Sequence, residues 1–294
     1  MSRRQSKIKL ANAKYLQLLP ALVVVLAIAA LGLKLLLGSH AATPLASSAE
    51  AESGTRSGTT SLVSDTAGSG SSAVQFGTKA VANRTLNLMP LGDSITLGQL
   101  TGVSDFTLNG GYRTLLWQKL VQQDGDKINF VGTQSNGPST LGDKDHEGHS
   151  GWRIDDIRNS IDSWMAANPP DIVLLHIGTN DIVQQYNLST APARLQDLIS
   201  RICTDKPGVH IIVAAIIVRP GLDSYVNAYN AAIPGIVTSE QNSGCQASYI
   251  NMNPVLTGSD LGSDSTHPLP EGYDKMANVW YPAVTTLYHT LEGN

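Results

Sequence analysis

The sequence predicts an α/β domain of the doubly wound, flavodoxin-like kind: a five-stranded parallel sheet with helices on both faces, preceded by an N-terminal transmembrane helix and a linker. Three observations carry this. From about residue 83, short apolar runs alternate with helical periodicities. The runs are apolar throughout instead of alternating with polar residues, which is the pattern of strands buried on both faces. The residues suited to chemistry follow directly after those runs, at the edge where an open parallel sheet binds its ligands.

The chain begins with its charge unevenly placed. The first 40 residues hold six Lys or Arg and no acid, leaving 14 bases against 24 acids in the remainder. A body that acidic repels phosphate backbones, so nucleic acid is excluded as a partner. Residues 18–37 carry a single charge, Lys34. At about 1.5 Å per residue they make a helix of about 30 Å, enough to span a bilayer. Pro20 lies near the start, where a helix tolerates it, and Lys34 near the end can snorkel to the interface. Arg3, Arg4, Lys7, Lys9 and Lys14 precede the run, so the positive-inside tendency keeps the tail in the cytoplasm and sends the rest across the membrane. Ser39-His40-Ala41 also fits a signal-peptidase site, but the run is long for a cleaved signal, and an uncleaved anchor is expected over residues 1–42. Both readings place the body outside the cytoplasm.

Residues 43–82 are rich in Ser, Thr, Gly and Ala and read as a linker. Within them Glu50-Ala51-Glu52-Ser53-Gly54-Thr55, Leu62-Val63-Ser64-Asp65 and Ala73-Val74-Gln75-Phe76-Gly77 resemble the opening strands of β-sandwich carbohydrate-binding modules. About 30 residues cannot bury a core of their own, so a tether with a residual hairpin is expected.

The folded domain, residues 83–294, offers strand-like runs at 86–91, 128–131, 171–177, 209–218 and 248–252. Between them Ile154, Ile157, Ile161, Trp164 and Met165 follow helical spacing. Asp155 and Asp156 suit the positive start of that helix, and Pro169-Pro170 ends it. Leu195, Leu198, Ile199 and Ile202 repeat the pattern after Pro192. Val226, Tyr229, Ile233 and Val237 do so again, with Pro234 expected to kink or divide the helix. A last helix over about 271–291 contains Pro282 as a similar weak point. Cys203 and Cys245 fall at helix ends leading into successive strands; in an oxidising compartment they either pair or stay as buried thiols.

The strand ends carry the candidate chemistry. After the first come Gly92, Asp93 and Ser94; after the second, a long loop over 132–153 with Glu147-Gly148-His149-Ser150-Gly151-Trp152. After the third come Gly178-Thr179-Asn180-Asp181, and after the fifth Asp264-Ser265-Thr266-His267. Acyl transfer needs these types: a serine hydroxyl activated by a base, a group that fixes the base's tautomer, and donors aimed at the oxyanion. Asp93, beside Ser94, reads as a turn scaffold accepting backbone N–H bonds. His146 and His149 with Asp143 and Asp145 lack a remote metal ligand, so no metal is assigned. His176 reads as a satisfied core histidine. Trp152 either stacks on a sugar or packs beneath its loop.

These four ordered blocks, spanning roughly residues 86–291, resemble the SGNH (GDSL-type) hydrolase family. Gly110-Gly111-Tyr112-Arg113 and the Glu-Gly-His-Ser-Gly-Trp setting are most similar to its acetyl xylan esterase branch, carbohydrate esterase family 3. The resemblance implies Ser94 as nucleophile, His267 as general base and Asp264 as its orienting acid. It implies an oxyanion hole of the Ser94 N–H, the Gly151 N–H and the Asn180 side-chain amide, with Gly92 and Asp93 in support and Gly148 competing with Gly151. The implied activity is a cofactor-free, monomeric serine esterase removing acetyl or other short acyl groups from carbohydrate, which the apolar run 18–37 would tether to the membrane. A lysophospholipase or thioesterase of the same family and a non-catalytic glycan-binding surface protein are the alternatives.

Overall fold

The structure is a computed structural model that describes residues 60–64, 72–76 and 84–292 of the 294-residue chain. Residues 18–37, read as a membrane anchor, lie outside the described residues. Among the described residues no helix is long and apolar enough to cross a membrane. Within the stretch read as a linker, Thr60–Ser64 (β1) pairs antiparallel with Ser72–Phe76 (β2).

The main unit is an α/β fold built on Leu86–Asp93 (β3). On one side β3 pairs in parallel with Ile172–His176 (β7), which continues to His210–Ala214 (β8) and Gln246–Ile250 (β9), all parallel. On its other side two strands share its length. Ile128–Phe130 (β4) pairs with Leu86, Asn87 and Leu88, and Asp145–His149 (β6) with Leu91, Gly92 and Asp93. The short Gln134–Ser135 (β5) lies antiparallel on β6. The sheet is therefore mixed and seven-stranded, where the sequence predicted five parallel strands. The two further strands are the two-residue β5 and β6, which reads Asp-His-Glu-Gly-His: its buried side chains are polar and hydrogen-bonded, so the apolar run that betrays a buried strand is absent.

Alternate residues along the strands feed two cores, as burial on both faces requires. Met89, Leu91, Val173, Leu175, Ile211 and Val213 pack on Ile154–Ala167 (α3), Ala191–Asp205 (α5) and Asp223–Asn242 (α6). Leu86, Leu88, Ile172, Leu174, Ile212 and Ala214 pack on Tyr112–Trp117 (α2) and Pro270–Glu292 (α7). Helices α6 and α7 continue past Pro234 and Pro282, contrary to a division at either. The apolar faces on both sides of each proline (Ile233 and Ile236; Trp280 and Val284) are buried, which offsets the missing N–H. Cys203, near the end of α5, and Cys245, just before β9, form a disulfide.

Candidate active site

The site begins where β3 ends. Gly92 is flanked by Gly148 and His176 in the neighbouring strands, and a Cβ there would sit 2.2 Å from the His176 carbonyl oxygen, so only glycine fits. Asp93 is fully buried, and its Oδ1 accepts the N–H of Ile95 at 2.9 Å, capping the four-residue helix Ser94–Leu97 (α1). Burial pushes the Asp93 carboxyl up to about 7, only partly offset by that N–H. Asp93 therefore aims the helix that begins with Ser94. As a first-turn residue Ser94 has an N–H without an intrahelical acceptor. Arg113, fully buried, donates to the Thr96 and Leu97 carbonyls at the other end of α1 and to those of Asn136 and Lys144, binding the helix to the loop before β6.

Facing Ser94 is the turn 264–267. Asp264 Oδ1 accepts the N–H groups of Thr266 (2.9 Å) and His267 (3.0 Å), while Oδ2 lies 2.6 Å from His267 Nδ1. Partial burial would raise the Asp264 carboxyl; the bonds from the His267 ring and the two backbone N–H groups outweigh it and hold the group well below the usual carboxylate range. A carboxylate facing Nδ1 selects the tautomer protonated there, leaving Nε2 as an acceptor. Ser94 Oγ lies 2.8 Å from that Nε2. Ser265, between the two, has φ +54°, a strained conformation for a non-glycine residue that the surrounding bonds sustain.

The third part is the turn after β6. Trp152 N–H donates to the His149 carbonyl (3.2 Å), and Gly151 has φ +79°. Ser150 is not among the positive-φ residues, so the bond and the signs of φ match a type II turn with Gly151 at its third position, where φ must be positive. Three groups around the Gly151 N–H are tied. Ser150 Oγ donates to Gln99 Oε1 (2.7 Å), the Gly151 carbonyl accepts from Gln184, and the Trp152 carbonyl accepts from Asn180 Nδ2 at 2.9 Å. The exposed Gly151 N–H itself has no acceptor among the described residues. Gly148 differs: it lies inside β6 and its N–H donates to His146 Nδ1 at 2.9 Å. Between the two glycines the geometry favours Gly151 as the free donor.

Asn180 stands on Thr179–Val183 (α4), directly after β7. Its neighbour Asp181 is buried, accepts the Ile154 N–H that opens α3 (3.1 Å) and pairs with Arg194. The Asn180-Asp181 pair thus fastens the segment after β7 to the residues that lead into α3. From the sequence Asp181 reads at most as a cap for its own turn and Arg194 has no role; no spacing links residues 154, 181 and 194 before the fold is known. Trp152 packs on the core, its ring against His149 and Trp164. His176 is buried as expected, but neither ring nitrogen has a partner among the described residues, and burial lowers it to about 4, keeping it neutral. A cavity of about 540 Å³ between β8, β9 and α7 is lined by none of these groups.

Residues 91–275 match the sequence model of the GDSL-like Lipase/Acylhydrolase family. Over 142 residues, 48% of its length, the chain is 33% identical to a "putative endoglucanase X" of Acetivibrio thermocellus. Over 237 residues, 71% of its length, it is 29% identical to a "multidomain esterase" of Ruminococcus flavefaciens. These matches span 61% and 30% of the two relatives. Among solved structures, a family 3 carbohydrate esterase of Clostridium thermocellum is similar with a TM-score of 0.62 and 38% identity, covering 71% of this chain and 100% of that one.

Proposed function

The chain belongs to the GDSL-like lipase/acylhydrolase family of ester hydrolases, and from that premise we propose that it is a serine esterase releasing acetyl or other short acyl groups from carbohydrate. The observation that carries the mechanism is the relay Ser94 Oγ to His267 Nε2, 2.8 Å, and His267 Nδ1 to Asp264, 2.6 Å. His267 takes the Ser94 proton as Oγ attacks the ester carbonyl. The tetrahedral oxyanion receives the N–H groups of Ser94 and Gly151 and an Asn180 amide N–H. Protonated His267 then passes its proton to the departing alcohol as the C–O bond breaks, leaving an acyl-Ser94 ester. Water, deprotonated by His267, attacks that ester, and the proton returns to Ser94 as the carboxylic acid leaves. Asp264 keeps His267 in its tautomer and stabilises its charged form. This sequence uses no cofactor.

The carbohydrate part of the reading is supported by the 38% identity to a family 3 carbohydrate esterase over that whole chain. A location outside the cytoplasm is supported by the basic tail ahead of the apolar residues 18–37 and by the Cys203–Cys245 bridge, which suits an oxidising compartment. The test is acetate release from a panel of acetylated polysaccharides, alongside 4-nitrophenyl acetate and a long-chain nitrophenyl ester, with Ser94→Ala as control. Acetate release and preference for the short ester, both abolished in Ser94→Ala, are expected. Preference for the long-chain ester, or turnover that survives Ser94→Ala, would overturn the reading.

A further inference from the structure

His149 closes β6 at the start of the turn that presents Gly151, and its imidazole is held by one hydrogen bond and two stacked rings. Nε2 lies 2.6 Å from Glu147 Oε1. Glu147 is fully buried and immobilised in turn, accepting the N–H and the hydroxyl of Thr133 at 2.7 and 2.6 Å. The ring plane is fixed by two nearly parallel indoles, with centroids 4.2 Å away at Trp152 and 4.7 Å away at Trp164. Trp164 belongs to α3 and is buried in the core. Trp152 ends the turn, and its carbonyl accepts the Asn180 amide. The imidazole therefore joins an immobile carboxylate and a core indole to Trp152, which follows Gly151 in the turn and accepts the Asn180 amide.

We propose that His149 is a positioning residue for oxyanion stabilisation. It does not touch the ester; it holds the turn 149–152 so that the Gly151 N–H and the Asn180 amide converge on one point. Stacking fixes where Trp152 lies, and the bond to Glu147 fixes how the ring is rotated beneath it. The inference rests on the esterase reading.

The test measures kcat and KM on 4-nitrophenyl acetate for His149→Ala and His149→Gln, each alone and combined with Asn180→Ala. A displacement of the turn by a fraction of an ångström is expected to lower kcat by about 10- to 100-fold in His149→Ala, with KM within about threefold of wild type. In the Asn180→Ala background the same change is expected to have a smaller effect than in the wild type, because one of the two donors it positions is already gone. Labelling of Ser94 by a fluorophosphonate should slow in parallel with kcat. His149→Gln keeps a donor toward Glu147 but no ring, and is the variant read if His149→Ala does not fold; the same loss of kcat at intact KM is expected of it. Equal fold-losses in both backgrounds, a change confined to KM, or a lowered melting temperature with kcat intact would overturn the inference while wild-type turnover upheld the esterase reading. Absence of Ser94-dependent turnover in the wild type would overturn both.

Discussion

Substituting Gly151 by alanine separates conformation from packing at the proposed oxyanion hole. A Cβ built on Gly151 meets nothing within 4 Å, so the new methyl clashes with no neighbour. What changes is the backbone: φ at this residue is +79°, where a side chain costs about 1–2 kcal/mol. The turn relieves that cost by rotating the peptide between Ser150 and Gly151 through about half a turn, from type II to type I. None of the turn's observed bonds opposes this, since Gln99 holds a side chain, Gln184 holds the following carbonyl, and the central peptide is unbonded. The rotation carries the Gly151 N–H away from the oxyanion.

Loss of one such donor costs about 3–4 kcal/mol of barrier, so kcat on 4-nitrophenyl acetate should fall on the order of 100- to 1000-fold with KM little changed. The fold should barely register it, with a melting temperature within a few degrees of wild type. Gly148→Ala is the contrasting variant: its Cβ would lie 2.5 Å from the Leu97 nitrogen, so it should lose stability before it loses specific rate. Gly151→Ala with kcat within about threefold of wild type would refute the reasoning, because it would mean that the turn's geometry does not serve the reaction.

Three further outcomes follow from the same geometry. Asn180→Ala should lower kcat by a factor on the order of 100 to 1000; a near-normal rate on a small acetyl ester would remove Asn180 from the oxyanion hole. Asp93 has a folded-state pKa near 7 against an ordinary 3.8. The folded protein therefore binds the extra proton, and this stabilisation is complete below pH 4 and lost as pH rises through 7, by roughly 4 kcal/mol at most. Asp93→Asn keeps the oxygen that caps Ile95 and cannot ionise, so in urea melts its stability relative to wild type should rise from pH 5 to pH 8; parallel pH profiles would contradict the burial argument. Reducing the Cys203–Cys245 bridge, which spans 42 residues, should cost about 4 kcal/mol on loop-entropy grounds. Denaturant midpoints unchanged by reductant would show that the bridge constrains nothing.

Most of the scaffold was legible because its signals are local. The apolar runs now seen as β3, β7, β8 and β9 and the spaced apolar faces of α3, α5, α6 and α7 each report burial within a few residues of sequence. Ser94, Asp264 and His267 stand out as candidates through short motifs, and Asp93, which the sequence suggests as a turn scaffold, accepts the Ile95 N–H. Helix α2 is not legible from its Gly-Gly-Tyr-Arg opening alone, because its buried Arg113 reads as a surface cation until four backbone carbonyls are folded around it.

Strand β6 escaped detection for a reason tied to what it does. A strand ending in a turn that must point one N–H outward cannot rely on apolar contacts, because these are not directional. His146 and Glu147 are fully buried yet hydrogen-bonded, the first to the Gly148 N–H and Asn136, the second to Thr133 and His149. Burial drives His146 down to about 2, so it stays neutral and Nδ1 remains free to accept the Gly148 N–H. That acceptance occupies the nearer glycine and leaves Gly151 as the open donor. The polar composition that hid the strand is what fixes the turn in place, and it explains why a pattern-based reading failed at the edge of the sheet where the candidate site lies.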